Sequence, residues 1–288
     1  MSQLHHRNIL RLMGWCKEDK HLLLIYEIMK KGNLEDHLYP QIGASDSRVY
    51  GVMDDDTSSQ LGWPRRRNIL IGIASGLAYL HTECPKSIVH RDIKPGNVML
   101  DTDFNAKLSD FGLVTQVNPT QTSRVMMNII GTRSYIDPAY IETGKTCGQS
   151  DVCSLGVMLL EIVCGEKPTI QTDQKNSLIE KVLNCQANNT ILGAADKGLR
   201  GQFDGELKSV LETGLMCVNP DHHRRPHIGR VRDFLMQLLP SMSTSNPTIP
   251  SGAKWGGGGG GGGGGGELAP IRTLHIHRPR KKPAIHHF

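Results

Sequence analysis

The sequence lacks the features that take a chain into a membrane or out of the cell. No apolar run in its 288 residues approaches the ~18–20 residues that a bilayer-spanning helix needs. The N-terminus, MSQLHHRNILRL, has no apolar core of a secretory signal. For the chain as it stands, integral membrane and secreted proteins are therefore disfavoured.

Cysteine pairs and a strong net charge are also lacking. The seven cysteines are odd in number and include no C-x-x-C pair, which disfavours a disulfide framework and a zinc site and fits a reducing, intracellular setting. Residues 267–288 hold five Lys/Arg and one acid, and so carry +4 of the net charge of +5. The first 266 residues carry only +1, so nucleic-acid binding is not expected.

Low-complexity segments divide the chain. Glycines 256–266 form an unbroken run of eleven, which is typical of a flexible linker. We expect order to end near Leu239 and residues 240–288 to form a disordered tail with a basic end. Residues 278–283 resemble a nuclear-import signal, although a solvated tail is the alternative. A second polar stretch, 40–60, is predicted to be a loop.

Helical spacing dominates between these segments. Residues 151–164 are apolar almost all round, which is typical of a helix that is buried on every side. This helix is predicted to stop at Gly165. The other predicted elements are helices that start at Pro64 and Pro226 or span 207–215, and strands at 9–15 and 22–28.

Two motifs carry most of the chemistry. Residues 90–97 read His-Arg-Asp-Ile-Lys-Pro-Gly-Asn, which fixes five positions of H-R-D-x-K-x-x-N. Asp110-Phe111-Gly112 begins thirteen residues after Asn97. With this catalytic loop and this D-F-G motif, the chain resembles the eukaryotic protein kinase family. Further matches are Gly131-Thr132, Asp137-Pro138-Ala139, Ser150-Asp151-Val152 and Arg225-Pro226.

Longer stretches resemble one branch of that family, the plant receptor-like kinases with the related Pelle kinases. They are HRNILRLMGWC, LLLIYEIMKKGNLEDHLY, GLAYLH and SDVCSLGVMLLEIVCGEKP, and the GWC triplet is most similar to lectin-type receptor kinases. The resemblance covers about residues 4–239. It implies an α+β protein-kinase-like fold, with a nearly complete, mainly helical C-lobe at 30–239. Residues 1–29 would be a two-strand remnant of the N-lobe, comprising the end of helix C, two strands and the hinge.

The resemblance assigns phosphoryl transfer to a few side chains. Asp92 would accept or orient the proton of a protein Ser/Thr hydroxyl, Lys94 would place a cation on the transferring γ-phosphoryl group of ATP, and Thr132 would contact this pair. Asn97 and Asp110 would hold Mg²⁺, which prefers carboxylate and amide oxygens together with phosphates. Lys94 at this position marks Ser/Thr rather than Tyr specificity in the family.

The same resemblance places the adenine of ATP. Tyr26 would be the gatekeeper, and a packed strand aromatic is the alternative for this residue. Glu27, Ile28 and Met29 would form the hinge, whose backbone N–H and C=O groups read adenine. Leu100 would line the floor below the base.

Arg91 precedes the catalytic Asp92. The resemblance implies that its guanidinium gathers a phosphate on the activation segment, 110–139, because guanidinium binds phosphate bidentately. The candidate acceptors are Thr115, Thr120, Thr122 and Ser123.

Several family features are missing. No G-x-G-x-x-G precedes His90, no V-A-I-K-like strand occurs, and the family's helix Glu would fall before Met1. Because the loss of one charge partner costs ~10²–10³ in rate, we expect an N-terminally truncated kinase with little or no activity. The alternatives are a non-catalytic kinase-like binding module and an incomplete gene product whose full form has the upper lobe, and with it an ectodomain and a membrane span.

The end of the activation segment also departs from the family. Its A-P-E is replaced by Asp137-Pro138-Ala139, so Arg225 is expected to lack its glutamate partner at a cost of ~3–5 kcal/mol. Glu142 is the candidate substitute.

The resemblance also implies partners and a location. The expected partners are ATP, a protein substrate with Ser/Thr and the members of a receptor complex. The expected location is intracellular, and a full-length relative would be a plasma-membrane receptor with a cytoplasmic kinase domain.

Overall fold

A computed structural model describes residues 4–18, 21–40, 61–117, 123–169 and 177–239. Residues 41–60 of the predicted loop and the predicted tail, with its glycine run, lie outside the described residues. Within these described residues the strands form four two-stranded antiparallel sheets. They are β1 Leu12–Glu18, β2 His21–Tyr26, β3 Ser87–Val89, β4 Val98–Leu100, β5 Ala106–Leu108, β6 Thr115–Val117, β7 Arg124–Val125 and β8 Lys145–Thr146. The α-helices are α1 Leu34–Leu38, α2 Trp63–Ala78, α3 Pro138–Thr143, α4 Gly148–Cys164, α5 Leu178–Ala187, α6 Asp204–Cys217 and α7 Ile228–Gln237.

The central helix of the fold is α4. Its side chains are buried on every face from Ser150 to Cys164, as its apolar sequence predicts. A Cβ at Gly156 would lie 2.6 Å from the Cys217 Cβ, and one at Gly214 would lie 2.6 Å from the Leu160 Cδ2. These two glycines therefore allow α4 and α6 to pack at close range. The helix ends at Gly165, whose φ of +68° is a left-handed conformation that favours glycine.

Helices α2 and α7 complete the helical body. Pro64 occupies the first turn of α2, where proline is tolerated because its missing N–H has no helical partner. A Cβ at Gly76 of α2 would lie 2.7 Å from the Asn8 carbonyl oxygen, so the N-terminal segment runs directly against this helix. The predicted helices at 207–215 and after Pro226 correspond to α6 and α7.

The two N-terminal strands differ from their predicted bounds: β1 lies three residues further along the chain, whereas β2 begins one residue and ends two residues earlier. The sequence pattern indicates strands at 9–15 and 22–28, whereas β1 and β2 pair Leu12 with Tyr26 at one end and Glu18 with His21 at the other. The reason is a long-range contact. Ile9 forms a parallel bridge with Leu108, and the Leu10 N–H donates to the Leu108 carbonyl at 2.8 Å. Residues 4–11 contain no helix, so the predicted end of helix C is not present there.

Candidate active site

The loop at 90–97 is anchored by a buried carboxylate of α4. Asp151 is 1% exposed and accepts the backbone N–H groups of His90 at 2.7 Å and Arg91 at 2.8 Å. The His81 ring nitrogen Nε2 lies 2.9 Å from the same carboxylate. Arg91 has a φ of +72°, a strained conformation for a residue with a side chain. The two bonds to Asp151 hold the loop in that conformation.

Asp92 lies at the centre of a compact polar cluster. Its Oδ1 accepts the Thr132 hydroxyl at 2.7 Å and the Thr132 N–H at 3.1 Å. Its Oδ2 lies 3.0 Å from the Lys94 Nζ and accepts the Asn97 amide at 2.8 Å. The Lys94 ammonium also donates to the Thr132 hydroxyl at 2.8 Å. Asp92 therefore contacts three other predicted site residues directly.

These contacts determine the charge of Asp92. Burial raises the pKa of this carboxyl, but the hydrogen bonds from Thr132, Lys94 and Asn97 outweigh burial and leave the pKa below its ordinary value. Asp92 is therefore ionised at neutral pH, with a lysine cation beside it.

Ser109, the residue before Asp110, connects Asp110 to Asn97. The Ser109 N–H and hydroxyl both donate to the Asn97 carbonyl at 2.9 Å, which places Asp110 next to Asn97. The Asn97 amide nitrogen is bound to Asp92, so its amide oxygen is the group left for a ligand. Asp110 is exposed, and its Oδ1 accepts only a long bond from the Gly112 N–H at 3.3 Å. An amide oxygen and an exposed carboxylate are ligands that fit Mg²⁺.

His90 contacts the two residues on either side of Asp110. Its ring lies 5.2 Å from the Phe111 ring, and its Nε2 lies 3.0 Å from the Ser109 carbonyl. Burial lowers the pKa of His90 although Asp151, Asp92 and Asp110 raise it, so the ring is neutral at pH 7 and its Nε2–H donates to Ser109.

The predicted hinge joins β2 to the helical body. The Glu27 N–H donates weakly to the Arg11 carbonyl at 3.4 Å, and the Met29 carbonyl accepts the Gly32 N–H at 3.1 Å. Among the described residues, the Glu27 C=O and the Met29 N–H have no backbone partner. Tyr26 is half-buried, and burial together with the Asp110 charge raises its pKa. Tyr26 and Asp110 therefore lie within electrostatic reach of each other.

The floor of the cleft differs from the prediction. Leu100 is fully buried in the hydrophobic core, because residues 98 and 100 of β4 face the helical body. Met99 alternates to the other face and is partly exposed. Met99, which the sequence alone did not single out, is therefore the β4 side chain available to a ligand.

Arg91 contacts the activation segment. Its guanidinium donates to the Tyr140 hydroxyl at 2.7 Å and to the Leu113 carbonyl at 3.1 Å. Its buried Nε has no partner among the described residues. Of the four candidate phosphate acceptors, Thr115 is only 6% exposed and accepts a bond from Arg124 at 3.0 Å, which argues against Thr115. Ser123 is partly exposed, and Thr120 and Thr122 lie outside the described residues.

The expectation that Arg225 lacks a partner is wrong. Its two terminal nitrogens each donate to Asp137 at 2.8 Å, and the two side chains are 0% and 2% exposed. Asp137 occupies the first position of the altered A-P-E motif. The family's glutamate would stand two residues later, at the position of Ala139. The acid has therefore changed position, and neither Glu142 nor a glutamate at 139 is needed to pair Arg225.

A second buried acid ties the activation segment to α4. Glu161 is 1% exposed and accepts the hydroxyls of Tyr39, which follows α1, at 2.9 Å and Tyr135 at 2.7 Å. Burial raises the pKa of Glu161 to about 7, although both hydroxyls lower it. Tyr135 is three residues after Thr132, so Glu161 fixes the backbone that leads to the Asp92 cluster.

The catalytic loop, the D-F-G motif and their anchor on α4 define a class of protein. A protein kinase domain model matches residues 1–235, and the chain therefore belongs to the protein kinase family.

Relatives place the chain within that family, in agreement with the predicted resemblance to plant receptor-like kinases. It is 38% identical over 259 residues to a probable L-type lectin-domain containing receptor kinase S.5 of Arabidopsis thaliana, covering 87% of this chain and 37% of that protein. It is 39% identical over 241 residues to L-type lectin-domain containing receptor kinase S.7 of Oryza sativa subsp. japonica, with 82% and 31% covered. It is 36% identical over 240 residues to a probable LRR receptor-like serine/threonine-protein kinase of Arabidopsis thaliana, with 83% and 25% covered.

The match covers only part of each relative. The chain spans about a third of the length of the curated relatives that it matches, with 37%, 33% and 34% covered in three of them. Among the described helices, none combines the length and the apolar character that a bilayer crossing needs.

Proposed function

We propose that the chain carries the ATP-dependent catalytic site of a serine/threonine protein kinase of the receptor-like type. Its reaction is transfer of the ATP γ-phosphoryl group to a protein Ser or Thr hydroxyl. The observation that carries this proposal is the Asp92 cluster, in which Thr132, Lys94 and Asn97 all lie within 3.1 Å of one carboxylate. Phosphoryl transfer depends on such positioning and charge compensation more than on covalent chemistry by the protein.

In this proposal each side chain of the cluster has a separate task. Asp92, ionised because its pKa is lowered, orients the acceptor hydroxyl and takes its proton at a carboxylate oxygen. Lys94 remains 28% exposed while bound to Asp92, so its ammonium is available to the transferring phosphoryl group. Thr132 keeps both in register.

Mg²⁺ and adenine have defined partners in this proposal. Asn97, through its amide oxygen, and Asp110 would hold Mg²⁺, which supplies positive charge to the β- and γ-phosphates. The Glu27 C=O and the Met29 N–H would bind the adenine edge. Tyr26 precedes this segment and Ile28 lies within it. Met99 takes the role at the floor of the cleft that the sequence assigned to Leu100.

The missing Gly-rich loop and strand lysine support the further proposal that this chain alone transfers phosphate slowly. Transfer to a Ser/Thr protein substrate should be at least ~10²–10³ slower than by a kinase domain with both features, and Asp92→Asn should abolish it. Asp103→Asn, at an exposed site in the neighbouring turn, is the control. Rapid turnover that depends on Asp92 would contradict the impairment. Equal turnover in wild type and Asp92→Asn would contradict the catalytic assignment.

A second candidate is a non-catalytic kinase-like binding module. The same missing loop and lysine favour it, because ATP phosphates would be poorly held. Failure of the wild-type chain to bind Mg·ATP, measured by calorimetry, would support this candidate over the first.

Partners and location are proposed on the same basis. The partners are ATP, Ser/Thr-bearing protein substrates and the members of a receptor complex. An intracellular location is supported by the seven cysteines, all of which are free thiols. An extended chain with an upper lobe, an ectodomain and a membrane span remains the third alternative, which sequencing of the 5′ end of the native transcript would test.

A further inference from the structure

Glu27 lies where the β1–β2 sheet passes into the hinge, and its carboxylate joins three parts of the molecule. Its Oε1 accepts the Arg11 N–H at 3.1 Å and the Lys107 ammonium at 2.8 Å. Arg11 leads into β1, whereas Lys107 is the middle residue of β5, in the hairpin beside the catalytic loop. One carboxylate oxygen therefore ties the hinge to the small sheet and to the helical body.

The position of Lys107 in the β4–β5 hairpin places its side chain on the same face of the hairpin as Met99. Lys107 pairs with Met99 across the β4–β5 ladder, and residues directly opposite each other in an antiparallel pair share one face. This is the face that the core does not use, since Ala106 and Leu108 are buried on the other. Lys107 therefore reaches the hinge from the side on which Met99 is exposed.

The Lys107–Glu27 pair is partly withdrawn from water. Its side chains are 20% and 30% exposed. The Lys167–Glu35 pair has the same 2.8 Å separation, but its side chains are 56% and 44% exposed. Solvent screens exposed ion pairs strongly and leaves them weak. Of these two pairs, the one at the hinge is therefore the one expected to restrain the backbone.

We infer that Lys107 is a positioning residue for nucleotide binding, which holds the hinge through Glu27 and touches neither the nucleotide nor the reacting atoms. The inference rests on the proposed function and adds a residue to it. A hinge that is held in place before the ligand arrives loses less conformational freedom on binding. Without the ammonium, the Arg11 N–H is the one donor to the Glu27 carboxylate that remains among the described residues, and residues 27–29 are less restrained.

Three variants distinguish the effect of the Lys107–Glu27 ion pair from the loss of a charge elsewhere and from the loss of side-chain packing. Lys107→Met keeps the aliphatic stem and removes the ammonium, whereas Lys107→Arg keeps a cation that can still reach Glu27. Lys167→Met makes the same chemical change in the exposed pair and is the matched control.

Hydrogen exchange of the nucleotide-free protein tests the restraint itself. Amides of residues 27–31 should exchange about tenfold faster in Lys107→Met, since a charged hydrogen bond contributes roughly that factor. They should be unchanged in Lys107→Arg and Lys167→Met, and amides of α4 should be unchanged in every variant. Equal exchange at 27–31 in wild type and Lys107→Met would overturn the inference. A uniform increase that includes α4 would show a general loss of stability and would overturn it too.

Calorimetry tests the consequence for the ligand, with adenosine and Mg·ADP as probes. Lys107→Met should raise both Kd values by the same factor of about ten, because Lys107 acts through the hinge. Lys107→Arg should restore both. An effect on Mg·ADP alone would place Lys107 at the phosphates and would overturn the inference. Failure of wild type to bind either probe would contradict the proposed function, whereas binding that Lys107→Met leaves unchanged would contradict this inference alone.

Discussion

The carboxylate of Asp92 owes its charge to the groups around it. Burial alone would favour the neutral acid, and hydrogen bonds from three neighbours reverse that preference. An acid that is already ionised can orient a hydroxyl and then take its proton. At the residue scale, the role that we propose for Asp92 therefore rests on a set of hydrogen bonds to one side chain, and each of them can be removed separately.

Removal of the Thr132 hydroxyl should raise the pKa of Asp92. Thr132→Val keeps the shape of the side chain but deletes the 2.7 Å bond to Oδ1, so the ionised form loses a donor. A carboxylate-detected NMR titration should show the pKa of Asp92 move up toward its ordinary value. Thr143→Val, an exposed threonine whose hydroxyl bonds to the Ala139 carbonyl, is the control. An unchanged Asp92 titration in Thr132→Val would contradict the assigned role.

The Arg225–Asp137 pair makes a stability prediction. Asp137→Asn should destabilise the protein by about 3–5 kcal/mol, because it leaves a buried guanidinium without its counter-charge. Ala139→Glu, which restores the family's acid, should leave the free energy of unfolding within about 0.5 kcal/mol of wild type, because Arg225 is already paired. Urea unfolding measures both. A clear stabilisation by Ala139→Glu would show that Arg225 still needs a partner.

The same pair shows what residue-level reading of the sequence could and could not supply. The motif letters at 90–97 and 110–112 predicted Asp92, Lys94, Asn97 and the metal-site candidate Asp110, because their spacing is short. Thr132, which is 40 residues from Asp92, was predicted only from the family match at Gly131-Thr132. The partner of Arg225 lies 88 residues away, and the family pattern directed attention to position 139. Only the packed structure brings Asp137 and Arg225 together.

At the scale of elements, helix α4 does more than fill the core. Its Asp151 holds the loop at 90–97, and its Glu161 binds Tyr39 and Tyr135. One buried helix therefore anchors both this loop and the activation segment. The apolar run at 151–164 predicted the burial of this helix. The anchoring roles of its two acids were not predicted, since an acid in an apolar run has no visible partner in the sequence.

Glu161 should make stability depend on pH. Its pKa is raised from 4.5 to about 7 in the folded protein, so the folded state binds more protons than the unfolded state between these values. Stability from this group is present below about pH 4.5 and is lost as pH rises through 7. The wild type should therefore lose about 3 kcal/mol over that window that Glu161→Gln does not lose.

Urea unfolding at a series of pH values measures this difference. Glu142→Gln, at an exposed glutamate of α3, is the control and should follow the wild type. Parallel pH profiles for wild type and Glu161→Gln would contradict a buried, late-titrating Glu161.

The strands show why pattern alone misplaces an element. The sequence pattern at 9–15 is typical of a strand, but Ile9 and Leu10 bond to Leu108 in the helical body and do not pair with β2. The strand therefore starts at Leu12. In β4 the sequence pattern likewise could not show which of Met99 and Leu100 faces the cleft. The pairing with β5 and the packing of β4 against the core determine which side chains point to which face.

At the scale of the whole molecule, the proposed site combines reacting side chains of the helical body with one side of a nucleotide cleft formed by the β1–β2 sheet. Among the described residues, the contacts that join these parts include the Leu108 bonds to Asn8 and Leu10, the bond from the Asn8 amide to the Ala106 carbonyl and the Lys107–Glu27 pair. We therefore expect nucleotide affinity to depend on how firmly the helical body restrains the hinge.

The central claim is that Asp92, Asn97 and Asp110 surround one Mg·nucleotide site. The most direct measurement is the ADP affinity of the purified chain by calorimetry, with and without Mg²⁺, in wild type, Asp110→Asn and the exposed control Asp103→Asn. We predict that Mg²⁺ strengthens ADP binding in wild type and in the control, because Mg²⁺ is bound jointly by carboxylates and phosphates, and that Asp110→Asn loses this gain. Absence of ADP binding by wild type, or an equal response to Mg²⁺ in Asp110→Asn, would contradict the claim.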